Sequence, residues 1–139
     1  MNYDRQMTRR PVLAFVIAVT FALVTPAAPG YADPDTACNF RLSPPQVVQL
    51  SGTDVVTATV DPAGCNVAAN PTMSVVCVQM QGSQSAEQCI QREGPGTARI
   101  YFQPYRPGAT YVATGRGCAS VGNPPQSSCQ MTGPLTATL

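Results

Sequence analysis

The chain reads as an all-β sandwich of about seven strands, stapled by disulfides, and three observations lead there. Beyond residue 32 no window sustains an apolar 3.6-residue period, while valine- and threonine-rich runs of roughly five to eight residues recur between turn residues. Glycine and proline, 11 and 14 in 139 residues, punctuate the chain throughout. All six cysteines lie downstream of an N-terminal apolar run. An even cysteine set behind such a run becomes disulfides in an oxidising compartment.

The N-terminus has the three parts of an export signal. Arg5, Arg9 and Arg10 face a single acid, Asp4, and the apolar run Val12–Val24 follows. That run is too short to cross roughly 30 Å of hydrocarbon at about 1.5 Å per residue, yet it suits the core of a signal peptide. Pro26, Pro29 and Gly30 break it, and Gly30-Tyr31-Ala32 places small residues at −3 and −1 of a cleavage after Ala32. Residues 1–32 are therefore expected to be removed, leaving an extended segment over 33–45 and the sandwich over 46–139. Asp33 and Asp35 separate the apolar run from Cys38, unlike a lipoprotein signal, so Cys38 stays available for a disulfide. The expected location is secreted or on the outer side of the cell envelope, with no stable membrane insertion after cleavage.

Arg41, Arg92, Arg99, Arg106 and Arg116 nearly balance Asp33, Asp35, Asp54, Asp61, Glu87 and Glu93. A near-neutral chain offers nothing to nucleic acid or to an anionic membrane surface. A monomer is expected. A domain this small buries only about two-thirds of its unfolded surface. Disulfides at about 2–4 kcal/mol each then weigh heavily against a net stability of about 5–15 kcal/mol.

In order, strands are expected at Gln46–Leu50, Asp54–Val60, Met73–Met80, Gln88–Arg92, Thr97–Gln103, Tyr111–Cys118 and Gln130–Leu139. Alternation in the second sets Val56, Ala58 and Val60 on one face and Thr57 and Thr59 on the other. In the fifth it sets Ala98, Ile100 and Phe102 inward and Arg99, Tyr101 and Gln103 outward. Asp61-Pro62-Ala63-Gly64, Gly94-Pro95-Gly96 and Arg106-Pro107-Gly108 read as turns, with φ preset at proline and freed at glycine. Pro134 inside the last strand calls for an edge position or a bulge.

The stretch Tyr105-Arg106-Pro107-Gly108-Ala109-Thr110-Tyr111-Val112-Ala113 resembles the turn entering the penultimate strand of fibronectin type III and related immunoglobulin-like Greek-key sandwiches. That resemblance gives Tyr111 the tyrosine-corner role, its ring in the core and its hydroxyl on nearby backbone. Cys77 and Cys89 on consecutive strands, with Cys118 and Cys129 flanking the last connection, resemble the layout of the neocarzinostatin family over roughly residues 53–139. Those are exported actinobacterial sandwiches that bind a chromophore in a cleft. Cys38, Cys65 and the proline-rich final loop depart from that layout. The Ala32-Asp33-Pro34 junction also resembles small exported mycobacterial-type proteins. Of the 15 pairings that six cysteines allow, strand order favours Cys77–Cys89 and Cys118–Cys129 as single-hairpin links, leaving Cys38–Cys65.

Catalytic chemistry finds little to use. Without histidine or lysine, neither a Ser-His-Asp nor a Cys-His arrangement can be built, and a lysine nucleophile is absent. No Cys-x-x-Cys or histidine pair marks a metal site, so no metal and no cofactor is expected. Gly115-Arg116-Gly117 and Gly94-Pro95-Gly96 lack the strand-loop-helix setting of a phosphate loop and read as hairpin turns. The reading is a non-enzymatic exported binding module for an unidentified protein or small-molecule ligand. Its candidate surface is Arg99, Tyr101 and Gln103 with Tyr105 and Arg106, since Tyr and Arg dominate binding hot spots. The alternative is a protease inhibitor acting through residues 119–128, a proline-stiffened loop containing Asn123, Pro124 and Pro125 between Cys118 and Cys129. A third reading is a small hydrolase using Glu87 and Glu93.

Overall fold

A computed structural model describes residues 37–139; the expected signal peptide and its cleavage site lie outside the described residues. Eight strands follow in chain order: β1 (Cys38–Leu42), β2 (Gln46–Leu50), β3 (Thr53–Cys65), β4 (Ala69–Met80), β5 (Gln88–Glu93), β6 (Ala98–Phe102), β7 (Thr110–Val121) and β8 (Gln126–Thr138). They form two antiparallel sheets. One is built around β3, and the other runs β5-β4-β7-β8.

In the first sheet β6 pairs with Val56–Val60 of β3. β2 pairs with Thr53–Thr57 and β1 with Val60–Cys65. Because β6 overlaps both pairings, β1 and β2 must share the opposite edge of β3, lying end to end. Ser43 bridges the two. Its backbone N–H donates to the Thr59 carbonyl and its Oγ accepts the Thr59 N–H, both at 2.9 Å. Pro44 and Pro45 then fill the gap, where neither has an N–H to donate.

The two inner faces close on one core. Val56, Ala58, Val60, Ile100 and Phe102 from the first sheet meet Val76, Val78, Tyr111 and Ala113 from the second. Phe40 and Leu42 of β1 join them, so the segment read from sequence as merely extended supplies a strand and two core side chains. In β3 the outer-face Val55 and Thr57 are buried as well, so this central strand is covered on both sides.

Two glycine- or proline-rich stretches expected to be turns lie inside strands. Asp61-Pro62-Ala63-Gly64 continues β3, where Asp61 pairs with Arg41, Pro62 with Phe40 and Gly64 with Asn39. The register shifts between Asn39 and Phe40 and leaves Ala63 as the extra residue of a bulge. A bulge tolerates the missing proline N–H as readily as a turn does. Gly115-Arg116-Gly117 sits in mid-β7. A Cβ on Gly117 would overlap the Phe40 ring, and one on Gly115 would overlap Val60 and Thr132. Gly117 makes room for Phe40 of the facing sheet, and Gly115 for Val60 of that sheet and Thr132 of neighbouring β8. The expected turns at Gly94-Pro95-Gly96 and Arg106-Pro107-Gly108 do lie between strands. Pro134 lies on edge strand β8 beside a register shift, satisfying both expected conditions.

Each cysteine pair is a directly opposed cross-strand pair: Cys38–Cys65 joins β1 to β3, Cys77–Cys89 joins β4 to β5, and Cys118–Cys129 joins β7 to β8. The corner tyrosine is in place. Tyr111 is fully buried, edge-on to Phe102 at 5.8 Å, with its hydroxyl on the Arg106 backbone.

Candidate binding cleft at the seam of the two sheets

A two-sheet sandwich has two seams where the sheet edges meet, and here they differ. At one, β1 faces β8, and side chains lace the edges together. The Phe40 N–H donates to Gln130 Oε1 at 2.7 Å, and the Ala37 N–H to Ser128 Oγ at 3.4 Å. At the other seam β5 faces β6, and among the described residues one such link crosses, from Gln88 Nε2 to the Gln103 carbonyl at 3.2 Å.

Beside that link a cleft of about 230 Å³ opens, lined by Gln88, Cys89 and Ile90 of β5 and Arg99, Ile100 and Tyr101 of β6. Alternation explains the mixed lining. Ile100 points into the core and is 3% exposed, whereas its neighbours Arg99 and Tyr101 point outward. Ile90 stands opposite the buried Val76, yet is 46% exposed because the cleft uncovers it. Tyr101, 42% exposed, lies opposite Thr57, whose buried hydroxyl has no partner among the described residues.

No carboxylate lines the cleft. Asp61, the acid at the far end of the β3–β6 pairing, is already held: Thr59 Oγ1 donates to its Oδ2 at 3.3 Å and Thr97 Oγ1 to its Oδ1. The Arg99 guanidinium makes no hydrogen bond or ion pair among the described residues. A positive charge with no bonded partner among the described residues therefore stands at the mouth of a partly apolar cleft.

Comparison with protein-family models, curated proteins and solved structures found no match.

The structure thus brings Arg99 and Tyr101 together and adds Gln88, Cys89, Ile90 and Ile100, which sequence reasoning did not include. Gln103 sits at the end of the seam and contributes its carbonyl. Tyr105 packs against the core with its ring 6.5 Å from Tyr111, so it acts in the corner more than on the surface. Arg106 is exposed, with its backbone engaged by Tyr111. Asn123, Pro124 and Pro125 lie beyond the Val121 end of β7, roughly 26 Å along the strand from Gly115, the residue level with Ile90, at about 3.3 Å per residue. Of residues 119–128, only 122–125 form the turn, because Ala119–Val121 pair with Gln126–Ser128. The expected loop is the end of a β-ribbon.

Glu87 and Glu93 have separate partners. Thr114 Oγ1 donates to Glu87 at 3.2 Å, and Gln91 Nε2 donates to Glu93. Glu87 also comes within 4.8 Å of Cys77 and Cys89, the one group with metal-ligand geometry among the described residues. Both sulfurs there are committed to the disulfide, which leaves a lone carboxylate.

Proposed function

We propose that the chain is an exported, non-catalytic binding module whose ligand site is the β5–β6 cleft. The observation that carries this reading is Arg99, without a bonded partner among the described residues, beside Tyr101 at a seam that holds a cleft, while side chains lace the opposite seam. Three cross-strand disulfides in so small a domain suit an oxidising exterior and a rigid frame, which lowers the entropy cost of binding. The immunoglobulin-like and neocarzinostatin-family resemblances read from the sequence are compatible with a binding role, and the disulfide-stapled two-sheet sandwich is a scaffold on which function is a matter of the site.

Inhibition through residues 119–128 has less support, because the paired ribbon leaves only a four-residue tip, 122–125, to enter a protease. A carboxylate mechanism has less still, with Glu87 and Glu93 each taken up by a neighbouring side chain.

The test is capture from culture filtrate or envelope extract by the immobilised protein and by two variants. Tyr101→Ala should lose the captured species; Met131→Ala, at a side chain 71% exposed on edge strand β8, should keep it. Equal capture by wild type and Tyr101→Ala would remove the cleft from consideration.

A further inference from the structure

We infer that the β5–β6 cleft selects small organic monocarboxylates carrying an aromatic or apolar body, with Arg99 reading the carboxylate. The inference rests on the proposed binding role and names the ligand chemistry for that site. Arg99 has no partner among the described residues, and the lining contains no acid to compete for it. A guanidinium presents a planar fork that matches a carboxylate with two parallel hydrogen bonds.

The charge count sets the valence. Arg99 is the single cation of the lining, and the chain has no lysine to add another. One positive charge balances a monoanion and leaves a dianionic phosphate half-compensated. Gln88 spends its Nε2 on the Gln103 carbonyl, so its amide is a fixed part of the wall more than a second anion donor.

The remaining lining sets the body of the ligand. Ile90 and Ile100 give an apolar floor, and the half-exposed Tyr101 ring gives a face on which another ring can stack. A volume of about 230 Å³ admits one ring and a short arm, given that a cavity of about 150 Å³ takes benzene. Drug-sized ligands need about 300 Å³ or more.

The experiment titrates the disulfide-intact protein with 3-phenylpropionate, its neutral amide 3-phenylpropionamide, and benzylphosphonate, following backbone amide resonances. Expected are saturable shifts at Gln88, Ile90, Ile100 and Tyr101, with the carboxylate at least about tenfold tighter than the amide and tighter than the phosphonate. In R99Q the carboxylate-to-amide preference should fall below about twofold, while R99K should keep part of it. The Arg106 amide signal reports whether each variant retains the fold. Equal affinity of the wild type for carboxylate and amide overturns the inference without any variant. So does a preference that survives in R99Q, tighter binding of the phosphonate, or no binding of any probe. If Tyr101-dependent capture holds while the carboxylate preference is missing, only this inference falls. If the capture itself ignores Tyr101, the underlying binding role falls first.

Discussion

The Tyr111 hydroxyl accepts the backbone N–H of Arg106 at 2.7 Å, five residues back along the chain. The same oxygen lies 3.4 Å from the Arg106 carbonyl, so one buried phenol serves both backbone groups of the turn that carries the chain from β6 to β7. The C-terminus reinforces that corner: the Leu139 N–H donates to the Ala109 carbonyl at 3.0 Å.

Tyr111→Phe removes the hydroxyl and leaves a part-buried turn N–H without its acceptor. The expected cost is about 1–2 kcal/mol, read as a lower denaturant midpoint at unchanged slope. Tyr101→Ala, on an exposed face, should change stability by less than about 0.5 kcal/mol. A reversed order of the two effects would mean that the faces of β6 and β7 are misassigned.

Gln130→Ala takes away the acceptor for the Phe40 N–H and unlaces the β1–β8 seam. Global stability should fall by about 1 kcal/mol. Hydrogen exchange gives the sharper reading. The Phe40 amide should exchange faster, while amides of β6 keep their protection relative to the new global stability. Unchanged exchange at Phe40 would show that this side chain does not hold the seam.

Gly117→Ala should destabilise by about 1–3 kcal/mol, since the added methyl overlaps the buried Phe40 ring. In a Phe40→Leu background the same substitution should cost less, because the ring that blocks it is gone. The double-mutant cycle measures this coupling, and strict additivity would place the conflict elsewhere.

Removing disulfides should follow loop length. On the chain-entropy account, Cys38→Ser/Cys65→Ser, which opens a separation of 27, costs about 3.5 kcal/mol. Cys118→Ser/Cys129→Ser opens a separation of 11 and costs about 2.8 kcal/mol. Thermal unfolding of each double variant gives the ranking. Non-reduced peptide mapping of the parent should return the three pairs, and Cys118 joined to any partner but Cys129 would contradict the register of β7 on β8.

Local chemistry made much of this legible. Alternation alone put Ala98, Ile100 and Phe102 inward and Arg99 and Tyr101 outward, as they stand. The Pro-Gly turn before Tyr111 marked the corner. β1 went unread although Cys38, Phe40 and Leu42 alternate with Asn39 and Arg41, because five residues before a double proline are too few to outweigh the break. Asp61-Pro62-Ala63-Gly64 has the composition of a turn, and only its pairing with β1 makes it a bulge. Gly115 and Gly117 owe their place to Val60 and Phe40, partners far away in sequence that no local pattern reveals. The cleft was half legible for the same reason. Arg99 and Tyr101 could be seen on one strand, but Gln88 and Ile90 reach them only because β5 and β6 end up on the edges of different sheets.

The interrupted edge of the first sheet has a bearing on how copies of this chain behave at high concentration. An unbroken outer strand of thirteen residues beside β3 would offer another copy a long row of free N–H and C=O groups, the template on which sheets extend into aggregates. Ser43 keeps the inner side of that edge bonded through its hydroxyl, and Pro44 and Pro45 interrupt the outer side. An incoming strand finds the Phe40 N–H of Cys38–Leu42 already bonded to Gln130, no donor at either proline, and beyond them only the five residues Gln46–Leu50. The edge stays continuous toward the core and discontinuous toward its neighbours, which disfavours polymerisation without weakening the sandwich.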